Sequence, residues 1–438
     1  MSTVHLLVLV HGMWGNPSHL SQLDRVIKAK HVEAGIELRT MLAKTNQEDS
    51  TYDGIDWGGE RVAEEIYQET ERLEKEGKQV IRFSITGYSL GGLVSRYVVG
   101  ILLRKGFFDK ITPVNFNTLA TPHLGLLRYP SFFSTVASKL GPRLLSRTGE
   151  QFYASDRWST TGRPLLDIMS DPDFVFYQAL TRFQKIQIYA NAVNDRTVPF
   201  ITAAIELEDP FAEHAWNGID ILREEEYSPI IKSYSFPPDS LEEKPKPIIL
   251  SREWFKNRKK TSRPTLPPWF QFRFPMNIVF YIAIPFLIPV VLSLVVVRFT
   301  KATRHSKARI KVMEQDNEKG ESLASVLGRL EHQMESAVLE ILEDPTPGHS
   351  DSDDTLAIET ISKSETKFRR FKKDEHPVIT PLQLQIAARL NRLPIKKKFA
   401  FLTDFNSHGT IICRDMDRFE FRRAGEGVIR HWVDSFIV

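Results

Sequence analysis

Cysteine is nearly absent from this sequence, and several other features are missing with it. Cys413 is the single cysteine among 438 residues, which excludes an internal disulfide and favours a cytosol-facing protein. No zinc-type spacing of cysteine and histidine and no phosphate-cradling loop is present. The formal net charge of +3 is too small to indicate a nucleic-acid partner. The first apolar run, residues 4–10, lacks a basic flank and a cleavage site, so we expect no signal peptide.

The chain does contain an alternation of short apolar runs and helical patterns. Strand-like runs lie at 4–10, 79–86, 114–119 and 186–190, and helical patterns lie at 22–30 and 90–103. Such alternation is typical of a parallel sheet covered by helices, so the predicted fold class is α/β. The composition, 42% hydrophobic, allows a sizeable core, and the length predicts one large domain with insertions or two domains.

A serine stands at the turn between one of these runs and its helix. Residues 87–92 read Gly-Tyr-Ser-Leu-Gly-Gly. A strand, a sharp turn and a helix with a serine at the turn form the setting of a nucleophile elbow, in which small neighbours let the backbone lift the hydroxyl above the sheet. The pattern predicts a serine hydrolase with Ser89 as nucleophile. The alternative is a glycine-rich turn without a catalytic role.

A serine nucleophile needs a base, and the base needs an acid that orients it. Asp195 follows the last strand-like run in the sequence Asn-Asp-Arg-Thr-Val-Pro, where a carboxylate would lie at the carboxyl edge of the sheet. Its alternative role is that of a turn aspartate. His408 lies on a loop after a predicted strand at 398–405 and is the preferred base. His214 and His431 are the alternatives.

Stabilisation of an oxyanion needs backbone amides that already point at the reacting oxygen. The turn 11–16, His-Gly-Met-Trp-Gly-Asn, directly follows the first apolar run. The amide of Met13, together with the amide of Leu90 after the serine, is the predicted donor pair. His11 in this turn and His123 in the sequence Thr-Pro-His-Leu-Gly are predicted to be structural.

Five motifs carry a resemblance to a known family. HGMWGN, GYSLGG, ATPHLG, NDRTVP and SHGTIICRD, in this order, resemble the fungal lipase-like serine esterase family. The resemblance covers residues 4–210 and 396–438, is loose between them, and is greatest to a member that acts as a phospholipase at lipid droplets. It implies an α/β-hydrolase fold whose triad is Ser89, Asp195 and His408.

The resemblance also implies the chemistry. Family membership implies deacylation of glycerophospholipids, or of other acylglycerols, and we expect no metal or organic cofactor to be required. The sequence departs from the family at Arg414-Asp415, where relatives often carry two basic residues. This departure concerns the salt bridges that follow His408.

One uncharged segment, residues 274–297, separates the two parts of the chain that carry the candidate triad. As a helix, its 20 residues from 278 to 297 would cross a hydrocarbon core of about 30 Å. No second run of this length returns the chain. A single crossing would therefore separate His408 from Ser89 by the membrane.

Two prolines favour a segment that does not cross. Pro285 and Pro289 each remove a helical hydrogen bond and divide the segment into two short arms. Basic residues flank both ends and fit an anionic cytosolic surface. We therefore expect a hairpin or an in-plane anchor. A single span and a buried helix or lid are the alternatives.

Order is predicted to resume after an acidic, proline-containing stretch at 343–355. Thr380 is a predicted N-cap for a helix at 382–393, with Pro381 in the first turn. Residues 410–413 resemble a further strand. A short helix is predicted to close the chain at 427–438.

The predicted organisation has five parts. They are a hydrolase part at 1–235, a proline-rich basic linker at 236–273, the apolar membrane-associated segment at 274–297, a polar helical and acidic insertion at 298–376, and a second hydrolase part at 377–438. We expect a lipid hydrolase that cleaves phospholipid or acylglycerol esters at a lipid droplet or the endoplasmic reticulum, with its body in the cytosol. The alternatives are a thioesterase or acyltransferase with the same triad, and a non-catalytic droplet scaffold.

Overall fold

A parallel sheet of six strands forms the centre of the fold. The computed structural model describes residues 2–30, 35–159, 161–215, 217–236, 276–317 and 377–438. The sheet consists of β1 (Ser2–Val10), β2 (Ile36–Leu42), β3 (Lys78–Tyr88), β4 (Thr112–Leu119), β5 (Lys185–Asn191) and, after a separate hairpin of β6 (Asp220–Arg223) and β7 (Ile231–Ser235), β8 (Ile395–Ala400). Its order is β2-β1-β3-β4-β5-β8, and all neighbours are parallel. The predicted α/β fold is confirmed.

Helices cover both faces of the sheet. They are α1 (Ser21–Lys28), α2 (Ile55–Lys75), α3 (Leu90–Arg104), α4 (Phe132–Leu144), α5 (Ser146–Phe152), α6 (Leu165–Ile168), α7 (Val175–Thr181), α8 (Phe200–Ala204), α9 (Met276–Asn317), α10 (Pro381–Leu390) and α11 (Glu426–Asp434). Residues of α2, α3 and α7 belong to one hydrophobic cluster, and residues of α1 and α11 belong to another. Because both faces are covered, the central strands are continuous apolar runs, and β1 is buried from Val4 to Val10.

The last strand of the sheet comes from the far end of the chain. β8 pairs with β5 from Ile186 opposite Ile395 to Asn191 opposite Ala400. The strand predicted at 398–405 therefore starts earlier and ends where β5 ends. This pairing places the carboxyl ends of β3, β5 and β8 at one edge of the sheet, the edge where open α/β sheets bind ligands.

Local predictions in the C-terminal part are confirmed in one place and wrong in another. Thr380 and Gln383 form a capping box before α10, with Pro381 in its first turn. The strand predicted at 410–413 is instead a 3-10 turn, Thr410–Ile412, that ends at Cys413 with φ of 51°. All four of these residues are buried, but Cys413 has a left-handed backbone conformation, which a strand does not adopt. The predicted acidic stretch and residues 237–273 of the predicted linker lie outside the described residues.

Helix α9 is continuous over 42 residues. It passes through Pro285 and Pro289, so the predicted hairpin is wrong. Each proline removes one hydrogen bond of the helix, and the neighbouring hydrogen bonds keep the helix continuous. Within the described ranges, one helix is long and apolar enough to cross a membrane by length and composition, over Phe286–Gln315. The described large apolar side chains between Ile282 and Val297 are 39–75% exposed. This exposure contradicts the alternative prediction of a helix buried in the protein.

The two halves of α9 have different surroundings. The apolar half, residues 276–297, carries the exposed apolar side chains. The docked half, residues 298–317, packs on the hydrolase body, where Arg309 pairs with the fully buried carboxylate of Asp53 at 2.8 Å. One rigid helix therefore joins the body to an apolar surface.

Candidate active site

Ser89 occupies the sharp turn between β3 and α3. Tyr88 ends the strand, Leu90 begins the helix, and Ser89 between them has φ of 55° and ψ of −126°. This backbone is strained for a residue with a side chain. A side-chain carbon on Gly91 would lie 2.2 Å from the carbonyl oxygen of Val10, so the turn closes only with glycine there. The local geometry is that of a nucleophile elbow.

Side chains from three distant parts of the chain meet at this turn. Nε2 of His408 lies 3.0 Å from Oγ of Ser89, and Nδ1 of His408 lies 2.9 Å from Oδ2 of Asp195. Ser89 is 7% exposed, His408 8%, and the Asp195 side chain 1%. With the proton on Nδ1, the imidazole donates to the carboxylate, and Nε2 accepts from the hydroxyl. The arrangement has the connectivity that a serine nucleophile requires.

Three donors hold the carboxylate of Asp195. Nδ2 of Asn191 donates to Oδ2 at 2.8 Å, and the amides of Thr197 and Val198 donate to Oδ1 at 3.0 and 2.8 Å. Such charge-assisted hydrogen bonds stabilise the ionised carboxylate and fix its orientation. Asp195 is predicted from the sequence as the triad acid, whereas its partner Asn191, the last residue of β5, is not predicted. An asparagine at a strand end, four residues before an aspartate, is the signal that could have found it.

The loop of His408 is tied to the loop of Asp195 and to β3. Ser407 donates its amide to the carbonyl of Asn194 at 3.1 Å and its hydroxyl to the carbonyl of Val193 at 2.8 Å. The Tyr88 hydroxyl donates to the carbonyl of His408 at 2.9 Å. Neither positioning residue is predicted from the sequence, because each contact joins segments far apart in the chain. The signal that the sequence does offer is position, since Tyr88 directly precedes Ser89 and Ser407 directly precedes His408.

The two alternative histidines lie elsewhere. Nδ1 of His214 lies 2.9 Å from the carbonyl oxygen of Phe211, and Nδ1 of His431 lies 2.9 Å from the hydroxyl of Tyr189. Burial lowers the pKa of His431 to about 4, so its imidazole is neutral at physiological pH. Among the described histidines, His408 is the one hydrogen-bonded to Ser89.

His11 and His123, predicted to be structural, are buried and bonded to nearby loops. Nδ1 of His11 lies 3.0 Å from the carbonyl oxygen of Gly12, and Nε2 of His123 lies 2.9 Å from the hydroxyl of Thr118. Burial lowers the pKa of His11, and it lowers the pKa of His123 well below its ordinary value. Neutral imidazoles with such contacts fit the predicted structural role.

The turn after β1 runs directly beside the serine. A side-chain carbon on Gly12 would lie 2.7 Å from Cβ of Ser89, and the next residue, Met13, lines the same cavity as Ser89. Leu90 is the first residue of α3, where amides have no acceptor within the helix. Both predicted oxyanion donors therefore border the serine, and their role stays a prediction.

A cavity of about 610 Å³ contains Ser89 and His408. Its aromatic and cationic lining residues are Trp14, Tyr88, Phe405, Phe419, Phe421, Arg414 and Arg422. Trp14 is 46% exposed and stacks on Phe299 of the docked half, with ring centroids 5.9 Å apart. The volume and the aromatic lining suit a ligand with apolar chains. Helix α9 thus contacts the wall of this cavity.

The fold and this arrangement define a class of protein. A parallel sheet, a serine at a strand-to-helix turn, and an aspartate and a histidine that follow it in this chain order characterise the α/β-hydrolase class of serine hydrolases. Residues 1–205 match the family model described as "Putative serine esterase (DUF676)". The family resemblance indicated by the motifs is thereby confirmed for this part of the chain. The match includes Ser89 and Asp195 and ends before His408.

Two fungal relatives are similar over a comparable length of the chain. The chain is 34% identical over 211 residues to "Putative lipase C4A8.10" of Schizosaccharomyces pombe, a match that covers 46% of this chain and 26% of the relative. It is 30% identical over 207 residues to "Putative lipase ROG1" of Saccharomyces cerevisiae, covering 46% and 28%. The chain thus spans about a quarter of the length of these relatives.

Solved structures offer more distant similarities. A Listeria innocua gene product is 15% identical, with 45% of this chain and 76% of that chain covered and a TM-score of 0.26. A "putative cell surface hydrolase" of Lactobacillus plantarum is 13% identical, with 46% and 74% covered and a TM-score of 0.26.

Proposed function

We propose that this protein is a serine-dependent lipid hydrolase that cleaves fatty acyl esters of glycerophospholipids at a membrane or lipid-droplet surface. The hydrogen-bonded series from Asp195 through His408 to Ser89 is the observation that carries the proposal. The serine esterase family match and the lipase names of two relatives support hydrolysis of an ester. The aromatic cavity around Ser89 supports a substrate with acyl chains.

In the proposed reaction Oγ of Ser89 attacks the ester carbonyl carbon while Nε2 of His408 accepts the hydroxyl proton. The ester C–O bond then breaks, and His408 returns the proton to the departing alcohol, which leaves an acyl-serine. Water attacks this acyl group with His408 again as base, so that the fatty acid is released and Ser89 is restored. Asp195 keeps the imidazole in the required tautomer throughout.

The amides of Met13 and Leu90 are the proposed oxyanion donors. Negative charge develops on the carbonyl oxygen in each tetrahedral intermediate, and a positioned amide contributes about 3 kcal/mol to its stability. The strained backbone at Ser89 supports this role, because a tight turn brings the first amide of α3 next to Oγ. The close approach of Gly12 supports it from the other side.

Helix α9 is the proposed membrane anchor. The described residues of the body that precede α9 end at Phe236, and α9 contacts the body at Phe299, which stacks on Trp14. A full crossing by the apolar half would require residues 237–275 to cross as well, and that segment includes basic residues such as Arg258 and Lys259. Each charge costs about 3 kcal/mol at the bilayer centre. We therefore propose that the apolar half enters the lipid only partly, and that the basic segments on both sides of it stay at the same lipid surface.

The same geometry supports a cytosolic body at a lipid droplet or the endoplasmic reticulum. A single phospholipid layer over neutral lipid accepts an apolar helix that does not emerge on another side. Exposed basic residues beside the apolar half, including Arg298, Lys301 and Arg304, suit an anionic cytosolic surface. The exposed Trp14 and Phe421 at the catalytic cavity would then face the lipid.

The proposal is tested by replacing the triad in the full-length protein. Ser89→Ala and His408→Gln are expected to lower kcat/KM on a phospholipid by at least about a thousandfold. His431→Gln is the matched control, since that imidazole bonds to Tyr189, and it is expected to keep the activity within about threefold of wild type. Full activity of Ser89→Ala would refute the proposed chemistry. A fluorophosphonate probe that fails to label the wild-type serine would favour a non-catalytic scaffold.

A further inference from the structure

Two arginines share the catalytic cavity with Ser89. Arg414 and Arg422 both line it, and both belong to the segment that follows His408. A side-chain carbon on Gly409 would lie 3.2 Å from Cζ of Arg422. The guanidinium therefore packs against the residue next to the proposed base, and a substrate held by Ser89 lies within the same enclosure.

The Arg422 guanidinium is fixed before any ligand arrives. Its Cζ lies 4.2 Å from the ring centroid of Phe419, and its Nη1 donates to the carbonyl of Arg414. The side chain is only 12% exposed. A planar cation held against an aromatic ring binds a tetrahedral or planar anion with little further loss of freedom.

The positive charge of this pair is only loosely balanced. Oδ2 of Asp415 lies 3.8 Å from Nε of Arg414 and 3.6 Å from Nη1 of Arg422, beyond hydrogen-bond distance, and Asp415 is 41% exposed. Within the part of the chain that the structure describes, Nε of each arginine is buried without an acceptor. Buried donors without acceptors are costly, so the positive charge of the pair beside the cavity is poorly compensated.

One carboxylate faces the pair from within the cavity. Asp404 lines the same space, and burial raises its pKa, which reduces the negative charge that it presents. Burial and the neighbouring charge of Arg414 lower the pKa of Arg422. The cavity thus holds two adjacent cations that repel each other and one weakened acid, an environment that a bound anion stabilises.

We infer that Arg414 and Arg422 form an anion subsite that receives the phosphate group of the substrate while Ser89 attacks its ester. The inference rests on the proposed function and assigns residues that would recognise the phosphate of its substrate. In a glycerophospholipid the phosphate and the acyl esters sit on one three-carbon unit, so one cavity can hold both. A neutral acylglycerol leaves the subsite empty. The subsite therefore favours phospholipids over neutral lipids.

The test compares two substrates with the same acyl chains in the same detergent micelles. The measured quantity is the ratio of kcat/KM for dioleoylphosphatidylglycerol to kcat/KM for dioleoylglycerol. Arg414→Gln and Arg422→Gln are each expected to lower this ratio about tenfold, because each removes a charge-assisted hydrogen bond to the phosphate. Arg418→Gln, the matched control, removes the same charge from the same segment outside the cavity lining, and the ratio should remain within about twofold.

A parallel fall for both substrates, with the ratio unchanged, would show that the arginines only support the fold and would overturn the inference. Arg422→Lys keeps the charge, so a restored ratio supports the subsite even if Arg422→Gln folds poorly. Inorganic phosphate and glycerophosphoglycerol are then compared as competitors. Stronger inhibition by inorganic phosphate would assign the site to free phosphate and refute the headgroup. Loss of all activity in Ser89→Ala remains a separate test of the proposed function.

Discussion

The apolar half and the docked half of α9 are adjacent in one helix, yet the first exposes large apolar side chains and the second buries small ones. In the apolar half Leu294 is 64% exposed and Val297 is 65% exposed, whereas in the docked half Ser306 is fully buried and Ala302 is 3% exposed. The difference shows that hydropathy does not decide which part packs on the body. Small side chains allow the helix to approach the body closely, and hydrogen bonds satisfy the polar ones, such as Thr303.

The contrast assigns different partners to the two halves. A contiguous exposed apolar surface on a folded protein marks an interaction site, and a lipid surface is the partner proposed for it here. The docked half has its partner in the body already, through Arg309 and Phe299. Substitutions of similar chemistry should therefore have different effects in the two halves.

The largest effect is expected from a charge placed in the apolar half. Val291 is 54% exposed, and Val291→Lys should weaken binding to vesicles of anionic phospholipid about tenfold to a hundredfold, because a buried lysine in lipid costs about 3 kcal/mol and snorkelling recovers part of this. Flotation of the full-length protein with the vesicles measures the bound fraction.

The docked half provides a matched control for this experiment. Val312 is 57% exposed, nearly the same as Val291, but it lies beyond the basic residues of α9. Val312→Lys should leave vesicle binding within about twofold of wild type. Equal losses in the two variants would mean that both halves contact lipid, and the division of α9 would then be wrong.

A smaller effect is expected when the docked half loses its ion pair. Arg309→Ala should lower the free energy of unfolding by about 1–2 kcal/mol, since the Asp53 carboxylate is fully buried but keeps Arg61 as a second partner at 2.8 Å. Urea unfolding of the purified protein measures this. Lys307→Ala removes an exposed charge two residues away on the same helix and should change stability by less than about 0.5 kcal/mol. No difference between the two variants would place the docking energy elsewhere.

The sequence predicts the centre of the fold because buried parallel strands are apolar throughout. β1, β3, β4 and β5 are visible in this way. β2 is partly exposed along its whole length, and α2 has glycines in its first turns, so neither has a clear period or propensity. The hairpin prediction rests on the hydrogen bonds lost at two prolines. It is wrong because the docked half, whose packing is not visible in the sequence, continues the same helix.

The residues of the candidate site also fall into a group that the sequence predicts and a group that it does not. Ser89, Asp195 and His408 are predictable because catalysis restricts residue type and chain order, and strand ends restrict their location. Tyr88 and Ser407 act through hydrogen bonds to His408 and Val193, which lie 320 and 214 residues away in the chain, and short motifs do not encode such contacts. Predicting them requires the pairing of β5 with β8, which brings the two ends of the chain together.

The smallest effect is expected at the junction of the two halves. Phe299 stacks on Trp14 at an interplanar angle of 13°, and Trp14 also donates from Nε1 to the hydroxyl of Tyr52 at 2.9 Å. A cycle of Trp14→Ala, Phe299→Ala and the double variant should give a coupling energy of about 1 kcal/mol in urea unfolding, as measured for aromatic pairs. Phe299→Leu keeps apolar packing without the stack and should lose only part of it. A coupling below about 0.3 kcal/mol would mean that α9 is held to the body by other contacts of the docked half, such as the ion pair of Arg309 with Asp53. The cavity wall at Trp14 would then be independent of the proposed immersion of the apolar half in lipid.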